Sequence, residues 1–308
     1  MSLLVTGSIG IDTVQTPHGN VADVPGGSAV YFAFAASFYT PVRLVGVVGA
    51  DFPVEFRNIL AERAAPPGRH GIDLTGLETR AGSNTFRWTG KYVGDMNQAE
   101  TLKVQLNVLG ELGPKIPDVF RDSQYVFLAN THPDLQRDLI GQLTKPKLVV
   151  CDTMNLWIET ARESLLQTIA KVDGLVLNDG EARMLAGEQN LITAGKKIMQ
   201  MGPRVVIIKK GEHGAMMVSK DHVCVLPAYP TENVKDPTGA GDSFAGGMMG
   251  YMAEQDSTDG ATLRAAMVRG TVTASFAIED FTLDGLRNIE RAQVEERAAE
   301  YMNMLPPR

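Results

Sequence analysis

Near the carboxyl end of the chain, a run of small residues and carboxylates from Asp236 to Gly247 reads DPTGAGDSFAGG. Gly239 and Gly241 would let the backbone approach an oxyanion closely. A helix that begins there would present unpaired N–H groups and the positive end of its dipole to that anion. The run is therefore typical of a phosphoryl-transfer site. The alternative is an ordinary helix cap followed by a glycine-rich packing face.

A carboxylate, Asp242, falls within the first turn of that predicted helix. Because two anionic groups in contact repel, a carboxylate among anion-binding amides must act on something other than the phosphate. An alcohol fits this role. An aspartate at a helix start stays ionised, so it can orient a hydroxyl group and accept its proton late in the reaction. We therefore expect Asp242 to be a general base, a role that requires no strongly raised pKa.

The run resembles the carboxyl-terminal signature of the ribokinase family, also called PfkB carbohydrate kinases, which reads D-T-x-G-A-G-D-x-F, with Pro237-Thr238 as a variant here. Weaker motifs follow in family order along nearly the whole chain. The resemblance implies ATP-dependent phosphorylation of a hydroxyl group, a primary CH2OH, on a small sugar or a nucleoside. It assigns three successive residues to the anion hole and the next to the catalytic base: Gly239, Ala240, Gly241 and Asp242.

The same resemblance implies ATP and Mg²⁺ as cofactors. Asn178 and Glu181 match the family's N-x-x-E element, in which the glutamate acts on Mg²⁺ through water, and Gly211 matches a loop that flanks the nucleotide. One glutamate is chemically sufficient, since Mg²⁺ usually keeps several waters. Asp236 and Thr238 match positions that bind K⁺ in many relatives, and a K⁺ requirement is left open. The alternative for Asn178 and Glu181 is a capping box without function.

On the acceptor side, the resemblance assigns Asp12, Gly26 and Gly27 to sugar binding. An ionised carboxylate can accept two vicinal hydroxyl groups, and glycines let a sugar lie against backbone N–H groups. The alternative for Asp12 is a turn residue. Relatives often place a sugar-binding asparagine after the glycine pair, whereas this chain carries the aromatic Tyr31 nearby. A free furanose, a hexose and a nucleoside therefore all remain open as acceptors.

The elements that position these residues are predicted from hydrophobic patterning. Continuous apolar runs suit parallel strands covered on both faces, and helical patterns lie between them. We expect an α/β, ribokinase-like, doubly wound sandwich with a mainly parallel sheet, forming a single domain over residues 1–308. Six runs are predicted as buried strands: Leu3–Ser8, Leu44–Val48, Tyr125–Ala129, Leu148–Asp152, Gly174–Leu177 and Val205–Lys209.

Two segments, approximately 11–24 and 85–108, break this rhythm and are predicted as antiparallel hairpins. The resemblance makes them a small β lid over the sugar. The alternative is that they are edge strands of the main sheet. The lid segment also contains Arg87, Trp88 and Asn107, to which no role is assigned, and residues 64–68 are predicted as a loop.

The composition of the chain limits the classes of partner that we expect it to bind. The net charge of -7 and the pI near 5.3 disfavour nucleic acid and anionic membranes, which bind clustered Lys and Arg. Cys151 and Cys224 lie in apolar runs, and no secretory signal is evident, so we expect reduced thiols in a cytoplasmic protein. The five histidines lack metal-ligand spacing. The oligomeric state is open, with a homodimer as one option.

The leading hypothesis is an ATP-dependent sugar kinase, and the close alternative is a nucleoside kinase with the same machinery. A regulator that binds sugar or nucleotide without turnover is more distant, because the chain carries both Asp242 and the Asn178/Glu181 pair. A nicotinamide dehydrogenase is disfavoured, since the segment from Gly7 to Gly10 lacks the G-x-G-x-x-G pattern.

Overall fold

The computed structural model describes residues 1–61 and 70–305, which form two β-sheets and the helices packed on them. The larger sheet has nine strands in the order β13-β12-β11-β10-β9-β8-β1-β4-β5. Their bounds are β1 Leu3–Thr6, β4 Val42–Gly49, β5 Ile72–Arg80, β8 Tyr125–Leu128, β9 Leu148–Asp152, β10 Gly174–Asn178, β11 Val205–Lys209, β12 Ala215–Ser219 and β13 Val223–Leu226. All six predicted buried strands are present.

The sheet is parallel from β11 through to β5, and only the β11/β12 and β12/β13 pairs are antiparallel. Strand β1 lies between β8 and β4, so the chain leaves it first toward one side of the sheet and later returns to the other. In such sheets ligands bind at the carboxyl ends of the strands, where the strand order reverses. The predicted doubly wound, mainly parallel sheet is confirmed.

Helices cover both faces of this sheet: α1 Ser28–Ala36, α2 Val54–Ala61, α3 Pro133–Ile140, α4 Asn155–Thr160, α5 Arg162–Ile169, α6 Asp179–Ala186, α7 Leu191–Met199, α8 Ala240–Gln255, α9 Gly260–Ala277, α10 Asp284–Arg287 and α11 Arg291–Met304. Alternate residues of β1 face opposite layers. Leu3 and Val5 join the core under α1, α8 and α9, whereas Leu4 joins the core under α3, α5, α6 and α7. Both faces of the strand are therefore buried, which explains its continuous apolar run.

The second sheet has four strands in the order β3-β2-β6-β7, with bounds β2 Gly10–Thr16, β3 Gly19–Gly26, β6 Phe86–Tyr92 and β7 Ala99–Gln105. Each predicted segment forms an antiparallel hairpin, and the two hairpins join through a parallel pairing of β2 with β6. They are therefore not edge strands of the main sheet. We call this second sheet the lid sheet.

Several smaller predictions concern the rest of the chain. The predicted loop at residues 64–68 lies outside the described residues. Both cysteines are free thiols, with Cys151 buried in β9 and Cys224 only half-buried in β13. Among the described helices, none combines the length and apolar character that crossing a bilayer requires.

Candidate active site

The glycine-rich turn leads directly into α8, which begins at Ala240 with Gly239 as its N-cap. The amide of Ala240 donates to the carbonyl oxygen of Pro237 at 3.1 Å, and that of Ser243 donates to Gly239 at 2.8 Å. No described backbone oxygen accepts from the amides of Gly241 or Asp242. The Ala240 amide is therefore already used within the turn, and the anion-hole role of Gly239, Ala240 and Gly241 stays a prediction.

The conformation of this turn depends on Gly239. Its φ of 75° lies in the left-handed region, which side chains disfavour. A Cβ built on Gly239 would lie 2.2 Å from Cγ of Tyr31. The Tyr31 ring, which is 1% exposed, is thus pressed against the turn from α1. Tyr31, which lies near the position where relatives often carry an asparagine, therefore fills the space beneath the turn.

Asp236 and Thr238 hold this turn in place. Asp236 is fully buried; its Oδ1 accepts from the Thr238 amide at 2.9 Å, and its Oδ2 accepts from the Thr282 amide at 3.0 Å. The Thr238 hydroxyl lies 3.4 Å from the hydroxyl of Tyr92, at the end of lid strand β6. Both residues therefore have structural partners, and their K⁺ role stays a prediction.

Asp242 lies close to an ion pair that the sequence analysis left aside. Lys209, the last residue of β11, places Nζ 3.3 Å from Oδ2 of Asp152, the last residue of β9. Glu181 at the start of α6 completes the set that surrounds this lysine, and we call Asp152, Glu181 and Asp242 the acidic cluster. No motif marks Lys209 or Asp152. Their positions at the carboxyl ends of β11 and β9, two parallel strands separated by β10, were the available signal.

Burial and the neighbouring charges shift the pKa values of the acidic cluster and of Lys209. Burial, followed by the Asp152 carboxylate, raises the pKa of Asp242 to about 8. Burial also raises the pKa of Glu181 to about 7. Burial would lower the pKa of Lys209, but the three surrounding carboxylates outweigh it, so its pKa is raised and the ammonium form persists. The expectation that Asp242 stays ionised at the helix start is therefore wrong for the free protein at neutral pH.

Asn178 and Glu181 form a reciprocal capping box at the start of α6. The Asn178 amide donates to Glu181 Oε2 at 2.7 Å, and the Glu181 amide donates to Asn178 Oδ1 at 2.8 Å. The capping box, which was the alternative interpretation of this pair, is therefore present. The box also holds the Glu181 carboxylate, which is 8% exposed, beside Lys209. Its metal role remains a prediction.

The predicted acceptor residues come together. Asp12 on β2 is 3% exposed, and a Cβ on Gly26 would lie 1.9 Å from its Oδ2, so a side chain at position 26 would displace the carboxylate. Burial raises the pKa of Asp12 to about 7, although a hydrogen bond from Gly27 lowers it. Among the described residues, neither Asp12 Oδ1 nor the Tyr31 hydroxyl has a hydrogen-bond partner. Two buried polar atoms at one place indicate a ligand that carries hydroxyl groups.

Comparison with known proteins adds a second line of evidence. The profile of the pfkB family carbohydrate kinases matches residues 137–284. A cytidine kinase from Thermococcus kodakarensis is 28% identical over 259 residues, which cover 82% of this chain and 88% of that protein. An aminoimidazole riboside kinase from Salmonella typhimurium is 29% identical over 293 residues, covering 89% and 88%.

A solved structure, a putative ribokinase II from Escherichia coli in complex with ATP and Mg²⁺, superposes with a TM-score of 0.77 at 16% identity and covers 97% of this chain and 99% of its own. The two proteins therefore share their overall fold. The protein is a pfkB family kinase.

In this pfkB family kinase, the three lid residues noted in the sequence differ in whether they share the face of the lid sheet that carries Asp12. The register pairs Asp12 with Trp88, so both side chains lie on one face of the lid sheet, and the Trp88 ring lies across Gly90. Arg87 instead forms ion pairs with Asp23 at 2.7 Å and Asp51 at 3.3 Å. Asn107 donates to the Thr85 carbonyl at 2.8 Å. Only Trp88 of these three therefore shares the face of Asp12.

Gly211 lies farther out than the acidic cluster, in a short turn after β11. It has a φ of 55°, and a Cβ there would lie 2.4 Å from Oδ1 of Asn97 in the turn between β6 and β7. The Asn97 Nδ2 also donates to Glu212 at 3.3 Å. The turn between β6 and β7 thus contacts the loop that the sequence assigns to the nucleotide.

The chemistry of the site fits magnesium nucleotide. The acidic cluster and Asp12 place four carboxyl groups near the single ammonium of Lys209, so each of them that ionises would repel a bare triphosphate, and a divalent cation would offset that charge. The described residues contain no group of three metal-ligating side chains.

A separate, mainly apolar cavity lies at the amino-terminal ends of β9, β10 and β11. Leu148, Gly174 and Val205 line it, together with Met248 and Leu263 of the covering helices. The acidic cluster lies at the carboxyl ends of the same strands. The cavity therefore takes no part in the site of this kinase.

The raised pKa of Asp12 predicts that the free protein loses stability with rising pH. A carboxyl group whose pKa is higher in the folded state stabilises the fold while protonated, and this contribution is lost as pH rises through the folded pKa of about 7. We expect the loss from Asp12 between pH 6 and pH 8 to be on the order of 1 kcal/mol. Asp12→Asn should remove it, because asparagine does not titrate.

Urea unfolding of both proteins at pH 6 and pH 8, without nucleotide, measures this difference. Glu181 and Asp242 act in the same direction and remain in the variant, so its stability should still fall, but less than that of the wild type. An equal fall in the two proteins would contradict the assignment to Asp12.

Proposed function

We propose that this protein transfers the terminal phosphoryl group of ATP to a primary hydroxyl group of a small sugar or a nucleoside. One observation carries the proposal. The carboxylate of Asp242 shares the first turn of α8 with two amides free to bind an anion, and it lies within electrostatic reach of the acceptor-side Asp12. An acid flanked by an anion site and an alcohol site is the arrangement that phosphoryl transfer to a hydroxyl requires.

In this proposal the chain's own residues have separate tasks. Asp12 accepts hydrogen bonds from acceptor hydroxyl groups, and its unpaired Oδ1 supports that role. The amides of Gly241 and Asp242 bind the phosphoryl oxygens as charge develops on them. The Asp242 carboxylate takes the proton of the attacking hydroxyl group. The lid sheet excludes water from the reacting groups.

Glu181 and Asn178 would hold Mg²⁺, with Glu181 acting through water. When bound, the ion would neutralise phosphate charge that the acidic cluster otherwise repels. The fixed orientation of Glu181 in the capping box and its low exposure support this assignment. Asp236 is proposed at the K⁺ position, and the free thiols of Cys151 and Cys224 support a cytoplasmic location.

A nucleoside is the second candidate acceptor, and Trp88 favours it. The half-buried indole lies on the same face of the lid sheet as Asp12, where a base attached to a bound ribose could stack on it. The relatives from Thermococcus and Salmonella are both named for ribosides. A free pentose or hexose would leave that aromatic surface uncovered.

Release of ADP from ATP with Mg²⁺, across pentoses, hexoses and nucleosides and with or without K⁺, tests the function. We expect turnover with a riboside or a small sugar. The same panel run with Asp242→Asn controls for contaminating kinases. If no acceptor supports turnover while ATP still binds, the protein is a binding regulator and the proposed function is wrong. A preference for free sugars, unchanged by Trp88→Ala, would remove the nucleoside.

A further inference from the structure

We propose that Lys209 is a catalytic residue whose ammonium group binds the terminal phosphoryl group of ATP during transfer. This rests on the proposed function and assigns it a residue that lies outside the glycine-rich signature. Lys209 ends β11 in register with Asn178, at the edge of the sheet where the candidate nucleotide residues lie.

The Nζ atom lies against the first turn of α8. A Cβ built on Gly241 would be 2.8 Å from Nζ, closer than atoms normally approach. The absence of a side chain at Gly241 therefore leaves room for the lysine head beside the two unpaired amides. Any larger residue at position 241 would displace the ammonium group from the turn.

The lysine still has capacity to bind a ligand. An ammonium group has three donors, and one of them is directed to Asp152 at 3.3 Å. The side chain is 19% exposed, whereas that of Asp152 is 5% exposed, so the lysine is the less buried partner of this ion pair. Two donors thus remain for oxygen atoms brought to the turn. The acidic cluster keeps Lys209 charged without using all of its donors.

The chemical step balances with this assignment. The acceptor oxygen forms a bond to the terminal phosphorus, and the bond from that phosphorus to the bridging oxygen breaks, with its electron pair leaving on ADP. The proton of the acceptor hydroxyl group passes to Asp242. Lys209 exchanges no proton and stays paired with the phosphoryl oxygens as they move toward the acceptor, which stabilises the charge in the transition state.

The competing account is that Lys209 only balances buried carboxylates. Lys209→Met separates the two accounts, with Lys210→Met as the matched control on the next residue. If Lys209 touches the terminal phosphoryl group, Lys209→Met should weaken binding of a non-hydrolysable ATP analogue with Mg²⁺ by about tenfold to a hundredfold, the usual effect of one charged hydrogen bond. Binding of ADP should change by less than about threefold, and kcat should fall at least as much as the analogue affinity. Lys210→Met should change none of these.

The double variant Asp152→Asn/Lys209→Met guards against misfolding, since it removes the buried charge that the single variant leaves unpaired. We expect it to recover thermal stability while kcat and analogue binding stay low. If kcat recovers together with stability, or if ADP and the analogue lose affinity equally, Lys209 has a structural role and the proposal is overturned. Wild-type turnover separates this failure from failure of the proposed function, because the wild type would still phosphorylate an acceptor.

Discussion

Asp242→Asn is expected to lower kcat by at least about a hundredfold, the low end for losing a positioned general base. Asparagine has nearly the same size as aspartate and leaves the N-terminal turn of α8 unchanged. The backbone amides of residues 241 and 242 would therefore still bind phosphate. ATP affinity should therefore stay within a few-fold of the wild type. Steady-state kinetics with the preferred acceptor and calorimetric titration of nucleotide measure the two effects separately.

Asp179→Asn provides the matched control. Asp179 also lies in the first turn of a helix at the carboxyl edge of the sheet, but its carboxylate pairs with Arg183 of the same helix. The same chemical change there should leave kcat unaltered. An Asp242→Asn enzyme that retains full turnover would remove the base assignment, and a large loss in both variants would point to general damage at the sheet edge.

Gly239→Ala should destabilise the fold and abolish most of the activity. The substitution forces a side chain into the left-handed φ of 75° and places its Cβ 2.2 Å from the Tyr31 ring, which is buried and cannot move aside. The conformational term costs roughly 1 kcal/mol and overpacking adds about 1–3 kcal/mol. Because relief requires the turn to shift, the two amides that follow would lose their alignment.

Gly187→Ala separates these two costs. Gly187 ends α6 with a φ of 66°, and a Cβ there would meet nothing within 4 Å. That variant should therefore lose only the conformational term, and its kcat should remain near the wild-type value. Chemical unfolding and kinetics on both proteins provide the comparison. Equal losses of stability would show that the contact with Tyr31 is unimportant.

The fold was largely predictable because its signals are local. A strand buried on both faces needs a continuous apolar run, as in β1, and each hairpin of the lid sheet carries its own turn. The pairing of one hairpin with the other was expected from family resemblance alone. The parallel register of β2 with β6 depends on residues far apart in the chain, and no local pattern specifies it.

The site residues that are neighbours in the sequence were predictable, whereas those that lie on separate elements were not. Gly239, Gly241 and Asp242 are neighbours in the sequence, so their type and order indicate their chemistry. Lys209 and Asp152 are single residues on different strands, and only the sheet brings them together. The pKa of Asp242 was misjudged for the same reason, since its electrostatic neighbours lie on β2, β9, α6 and β11.

The parallel pairing of β2 with β6 also has a consequence for biosynthesis. Asp12 leaves the ribosome early, yet the strand that pairs beside it ends at Tyr92, and Tyr92 in turn contacts Thr238. Contacts between such distant parts of a chain form slowly, because the intervening segment must be ordered first. The surroundings of Asp12 are therefore completed only after most of the polypeptide has been translated, and a nascent chain that stalls before β6 would leave unpaired the edge of β2 that β6 covers.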